Sequence, residues 1–188
     1  QLDSGFEILP IDRALFDRNP GNIEALEDCV EGWTSPEAFF NLAVGYCALH
    51  NGRIVSHSLT DSVSGQRCEV GVGTESDFRR QGLGRMVASM TIAECVRRGL
   101  HGVEWHSHAS NKGSIAIGGS IGLSELDRHV AYSCRLPAEN VGDLTPDHCR
   151  DLAVHFERAS EQINWSRFHA AGARALAAVE RPGARDRL

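Results

Sequence analysis

Glu69-Val70-Gly71-Val72-Gly73-Thr74 and, five residues on, Arg79-Arg80-Gln81-Gly82-Leu83-Gly84 form the stretch on which the fold turns. The first segment belongs to a run from Arg67 to Thr74 that reads as a strand. After the second, Leu83, Met86, Val87, Met90 and Ala93 recur at helical spacing as far as Arg98, with Arg97 and Arg98 in the last turn and Gly99 at C′. Glycines at a helix start let the backbone approach a ligand closely. The unpaired amide N–H groups and the helix dipole there favour an anion such as a pyrophosphate, and Arg79 and Arg80 add positive charge beside that nest. The loop is not a Walker A motif, since no Gly-Lys-Ser/Thr occurs. Nor is it a dinucleotide fingerprint, which needs G-x-G-x-x-G and an acidic residue about 20 positions on.

Upstream, Phe6 to Ile11 reads as a short strand followed by helical material, with Asn22 and Ser35 as N-caps and Pro36 at a first helical position. Gly45 to His50, the turn Asn51-Gly52 and Arg53 to Thr60 form a hairpin, and Asp61 to Gly65 is rich in turn residues. Downstream, a strand runs from Gly102 to about Ala109. A helix from near Asn111 carries Ile115, Ile117 and Ile121 and stops at Gly122, and a strand spans Glu125 to Leu136. Strand–helix–strand–helix–strand is an α/β pattern whose crossovers imply parallel pairing. Thr145-Pro146 opens a helix with Leu152, Phe156, Ala159 and Ile163 in stripe, and a second helix is expected from Ser166 to Val179, before Pro182-Gly183. The expected division is therefore a main domain over residues 1–140 and a C-terminal helical hairpin, 141–188, packed on it. The first residue is Gln1 rather than Met, so the natural chain is expected to begin upstream.

At 188 residues the chain suits one main domain able to bury a core without disulfides or metal. With 19 basic and 25 acidic side chains, the net charge of −6 argues against a nucleic-acid binder. Residues 1–50 hold nine carboxylates and two arginines, a balance that suits a cationic small substrate as well as plain solubility. No apolar run reaches membrane-spanning length and no signal peptide is visible, so no membrane partner is expected. Cys29, Cys47, Cys68, Cys95, Cys134 and Cys149 show no C-x-x-C spacing and read as reduced thiols of a cytoplasmic protein.

Arg79 to Gly84 matches R/Q-x-x-G-x-G/A and resembles the acetyl-CoA pyrophosphate loop of the GNAT superfamily of N-acyltransferases. Asn111-Lys112-Gly113-Ser114-Ile115 and Gly122-Leu123 resemble the second half of that family, and Glu69 to Thr74 with Glu104 to Ile115 is similar to the branch that includes zwittermicin-resistance acetyltransferases. The likeness extends from around Trp33 to about Cys134. It implies a mixed, centrally splayed sheet flanked by helices, acetyl-CoA as co-substrate, and acetyl transfer to a primary amine of a small, antibiotic-like molecule, by a monomer or homodimer. A catalytically silent acyl-CoA-binding module and a protein-modifying acetyltransferase stand as alternatives.

On the resemblance, amides of Gln81, Gly82, Leu83 and Gly84 hold the pyrophosphate with Arg79 and Arg80 nearby, and the strand around Val72, Gly73 and Thr74 bonds the pantetheine arm through its main chain. Along that strand Val70 and Val72 share one face, and Glu69, Gly71 and Gly73 the other, where two missing side chains leave room for something to lie. Acetylating an amine requires a base, because an alkylammonium has a pKa near ~10. Glu69 is the first candidate, and His106 and His108, on one face of the next strand beside Glu104, are the others. The two histidines could begin a metal site, but no further ligand stands at zinc spacing and no metal is expected. Many family members carry a tyrosine that protonates the leaving thiolate, and the aligned residue here is Gly118. Ser114, Ser120 or water is left for that task. Asn111 is expected to orient cofactor amides and to cap its helix.

Overall fold

The computed structural model describes residues 5–133, 145–147, 150, 154 and 161–171. Strand β1 (Phe6–Pro10) leads into three short helices, α1 (Arg13–Arg18), α2 (Glu24–Glu31) and α3 (Pro36–Leu42). Asp12 caps α1 by accepting from Leu15 N at 2.9 Å, and Ser35 caps α3 by accepting from Ala38 N at 3.1 Å, ahead of Pro36. Asn22 is not the cap expected of it. It adopts a left-handed conformation, φ 64°, and its amide donates to Ile54 O (3.0 Å) and Glu75 Oε1 (2.9 Å), tying the approach to α2 onto the sheet.

Strands β2 (Gly45–His50) and β3 (Arg53–Ser64) meet at Asn51-Gly52, whose φ values of 50° and 75° meet the requirement of a type I′ turn. The segment Asp61 to Gly65, read from its composition as a turn, is mostly strand. The β3 register shifts between Thr60 and Ser62, so Asp61 is the extra residue of a bulge, and the turn shrinks to Gly65-Gln66 before β4 (Arg67–Thr74). A single 3-10 turn, Ser76–Phe78, precedes α4 (Leu83–Arg97), which ends at Gly99, φ 85°. Then follow β5 (Gly102–His108), α5 (Lys112–Ser120), β6 (Ser124–Ser133) and β7 (Glu161–Ala171).

These strands make one mixed sheet in the order β1-β2-β3-β4-β5-β7-β6, antiparallel except at β4/β5. Among the described strands, parallel pairing therefore occurs at the first crossover only, and outside those ladders an isolated parallel bridge joins Gly21 to Arg53. Strand β6 runs in the direction of β5 but is separated from it by β7, which is antiparallel to both. One expected helix reaches Ile163 and the next begins at Ser166, but Glu161–Ala171 is a strand. The alternation Ile163-Asn164-Trp165-Ser166 has the period of a strand, and strand pairing with β5 and β6 satisfies two rows of backbone groups that a helix would leave open. Pro146 and Asp147 are helical, as the Thr145-Pro146 signal implies. The remainder of the expected hairpin and the boundary after residue 140 lie outside the described residues.

Alternation along β2 sends Cys47 and Leu49 to one face and Ala48 to the other. Helices α1–α3 cover the first face, where Leu15, Leu26 and Phe39 pack with Cys47, Leu49 and Leu59. Helix α4 covers the second, setting Ala88, Ile92 and Cys95 against Val70, Val103 and Trp105, and Leu83, Met86 and Val87 against Ala48 and Val55. Helix α5 lies on that same side, beside α4. The sheet is thus buried on both faces at its centre, which is why β2 and the first half of β3 read as almost continuously apolar or small.

Candidate active site

Strands β4 and β5 pair at three positions, Arg67↔Gly102, Cys68↔Val103 and Glu69↔Glu104, and then part. Each keeps its other neighbour, β4 with β3 as far as Thr74 and β5 with β7 as far as His108, so the splay opens only between them. The opening is a cleft of about 220 Å³ lined by Val70, Gly71 and Val72 of β4, Trp105 to His108 of β5, and Asn111 and Ser114 at the start of α5.

The β4 edge of the cleft is main chain. Glu75 N bonds Val55 O at 2.9 Å, and bonded pairs alternate along an antiparallel ladder. Gly71 and Gly73 therefore bond toward β3, while Val72 and Thr74 turn their N–H and C=O groups toward the cleft. Of the three positions expected to present backbone there, Val72 and Thr74 do and Gly73 does not. The Thr74 carbonyl already accepts from Arg79 Nε at 3.0 Å, so Arg79 braces the end of β4.

The loop after β4 ends in two left-handed residues, Arg80 (φ 65°) and Gly82 (φ 85°), the latter at the N-cap of α4 with no side chain closing it. The first amide to bond back is Met86 N, to Gly82 O at 3.0 Å, so the N–H groups of Leu83, Gly84 and Arg85 have no intrahelical acceptor. A Cβ on Gly84 would lie 3.0 Å from Thr74 Oγ1 and 3.2 Å from Ile117 Cδ1, so only a glycine lets α4 approach β4 and α5 this closely. Open amides, a dipole end and exposed Arg79 and Arg80 fit a diphosphate, and the unpaired β4 edge fits an extended amide-bearing arm. Gln81 is exposed, and its side chain donates to Asp77 O at 3.3 Å, within the loop.

Side chains build the other face of the cleft. Along β5, buried Val103, Trp105 and Ser107 alternate with Glu104, His106 and His108, so both histidines share the face expected of them. Glu69 Oε1 stands 2.8 Å from His106 Nδ1. A carboxylate only accepts, so Nδ1 carries the proton and donates, which leaves Nε2 as the basic nitrogen. Glu104 pairs with Arg67 instead. His108 is exposed at the rim.

The room above Gly71 and Gly73 is filled by two β3 side chains that the sequence reading did not pick out. A Cβ on Gly71 would fall 2.6 Å from Asp61 Oδ2, and one on Gly73 would fall 2.5 Å from His57 Cε1. The signal was present in the two glycines, because two bare positions on one strand face call for side chains from the next strand. Burial lowers the His57 pKa. Asp61 is exposed on its solvent side, while the protein packed around its carboxyl, and then the Glu69 charge, push it up to about 6. Cys29 of α2 lies close by, its thiol pushed up to about 11 by burial and then by the Asp61 and Asp28 charges.

On the α5 side, Asn111 caps the helix by accepting from Ser114 N at 3.1 Å. Ser114 Oγ accepts from the Nε1–H of fully buried Trp105 at 2.9 Å, which leaves the serine proton free to donate elsewhere. Gly118 is buried, and a Cβ there would stand 3.7 Å from the Trp105 ring. Ser120 Oγ donates to Ile117 O within its own helix, at 2.8 Å.

Residues 1–132 match the family described as GNAT acetyltransferase. The chain is 26% identical over 132 residues, 70% of its length, to the uncharacterized N-acetyltransferase YdfB of Bacillus subtilis, and covers 49% of that protein. It is 31% identical over 75 residues, 40% of its length, to the ribosomal protein bS18-alanine N-acetyltransferase of Escherichia coli, covering 51% of it. It thus spans about half the length of these curated relatives. Among solved structures, yncA of Salmonella typhimurium, with its cofactor acetyl-CoA, superposes with a TM-score of 0.61 at 14% identity, covering 89% of this chain and 94% of that one. The splayed sheet, the open helix terminus and the family match agree: the chain belongs to the GNAT acetyltransferase family.

Proposed function

We propose that this chain is an acetyl-CoA-dependent N-acetyltransferase that modifies a primary amine of a small molecule, an antibiotic-like amine of the zwittermicin-resistance branch among the candidates. The observation that carries the reading is the cleft between β4 and β5, with an anion cradle at one end and the Glu69–His106 pair at the other. Bound acetyl-CoA supplies an acetyl thioester, an acyl group activated toward a neutral amine.

The chain's own residues do the rest. Amides of Leu83, Gly84 and Arg85 bind the diphosphate, Arg79 and Arg80 neutralise it, and the backbone of Val72 orients the amide-bearing arm. His106 Nε2 removes the proton from the incoming ammonium, while Glu69 fixes the tautomer and steadies the imidazolium that results. This division makes His106 the catalytic base and Glu69 its positioning partner. The Ser114 hydroxyl, its oxygen already accepting from Trp105, donates toward the departing sulfur in place of the tyrosine that Gly118 replaces.

A second reading, acetylation of a protein amino terminus, is favoured by the likeness to the bS18-alanine enzymes. Acetyl-CoA should raise the melting temperature, and thiol release should appear with small amines. Absence of the melting shift at saturating acetyl-CoA defeats the first claim, and turnover with peptides but with no free amine selects the second reading.

A further inference from the structure

Among the described strand carboxylates, Glu7 pairs with Arg18, Glu69 with His106, Glu104 with Arg67, Glu125 with Arg128 and Asp127 with His129. Asp61 has no cationic partner among the described residues. What faces it is anionic or neutral: Glu69 from β4, Cys29 from α2 with Asp28 behind it, and, along β3, His57, whose pKa burial lowers. It is also the residue that the β3 bulge adds, and it lies against a strand position where any side chain would collide with its carboxylate. A bulge and a glycine together set an uncompensated carboxylate directly over Gly71, one of the residues that line the cleft.

The reacting nitrogen does not need it. An alkylammonium loses two protons as it becomes an amide: His106 Nε2, held by Glu69, takes one, and the other goes to the departing thiolate by way of Ser114. We infer that Asp61 binds a second positive charge of the acceptor, so that the preferred substrates are diamines or larger polycationic amines rather than monoamines. The inference rests on the acetyltransferase reading and narrows its substrate class. Gly71, beneath Asp61, is two residues along β4 from Glu69, a separation of roughly 7 Å, so the second charge stands a short alkyl chain away from the reacting nitrogen.

The Asp61 carboxyl sits at about 6 rather than at the ordinary 3.8, so the folded chain favours its protonated form. The stability tied to this group is fully present below the unfolded value and is lost as pH rises through the folded one. Replacing Asp61 by Asn should therefore raise the melting temperature at neutral pH and leave it nearly unchanged in acid. A bound dication should recover that lost stability in the wild type only.

The experiment compares α,ω-diaminoalkanes with amino alcohols of matching length as acceptors, in wild type, Asp61→Asn and Gly71→Ala. Wild type should favour the diamine in kcat/KM by about tenfold, the worth of one charge-assisted hydrogen bond. In Asp61→Asn the ratio should fall toward one, mainly through a raised KM for the diamine, and Gly71→Ala should move it the same way by displacing the carboxylate. The wild-type preference should weaken as pH falls through about 6, as Asp61 takes its proton. Equal use of both acceptors by wild type overturns the inference, as does a diamine preference that survives in Asp61→Asn, or no turnover of any of these amines by a chain that binds acetyl-CoA. A chain that shows no acetyl-CoA melting shift fails at the earlier reading instead.

Discussion

At its α4 end the cleft is made of main chain: amides of Leu83 to Arg85, a left-handed Gly82, and the open edge of β4. Beside it stand side chains from three different strands, His57 and Asp61 of β3 over the bare positions of β4, and Glu69 of β4 against His106 of β5 in the cleft wall. The first end depends on local backbone geometry within a dozen residues. The second depends on sheet register and on one bulge. On the proposed reading, the main-chain end would hold the common donor and the side-chain end would set the acceptor.

The sharpest test of that contrast is His106→Asn, which should lower kcat by about 10²–10⁴-fold while leaving the acetyl-CoA melting shift intact. A variant that loses both would mean the two ends are not separable. Glu69→Gln keeps an acceptor for His106 Nδ1 but loses the charge, so a smaller fall is expected, on the order of 10–100-fold in kcat with KM little changed. Gly82→Val attacks the other end. Holding a β-branched residue at φ 85° strains the helix start, and acetyl-CoA affinity by calorimetry should weaken about tenfold, with kcat at saturation nearly preserved. Smallest is Ser114→Ala, which strands the buried Trp105 N–H and should reduce stability in urea by about 1–3 kcal/mol, with a modest loss of kcat.

Legibility in the sequence follows the same contrast. Arg79 to Gly84 could be read because glycine spacing at a helix start carries its geometry with it, and the strands Gly45–His50 and Arg67–Thr74 could be read because their turns are explicit. Glu69 and His106 were each visible as candidates, but their contact was not, since it joins strands whose pairing stops beside it. Asp61 was hidden by composition. Asp61-Ser62-Val63-Ser64-Gly65 looks like a turn, and only the pairing of β3 with β4 makes it strand. Strand β7 escaped for a related reason, because its neighbours are distant in the chain and nothing local distinguishes its alanine-rich end from helix.

The insertion of β7 between β5 and β6 also sets an order of assembly. Strands β1 to β4 are joined through neighbours in sequence and can pair as soon as they exist, whereas β5 gains its second neighbour only when residues 161–171 arrive, and β6 has no other strand partner among the described residues. During synthesis β6 would have to wait, its backbone unsatisfied, for a segment made well after it. Such long-range closure slows folding and leaves open strand edges exposed in the interval. The last strand of this sheet thus acts as a latch, and the region most exposed to misassembly lies beside the cleft wall that carries His106.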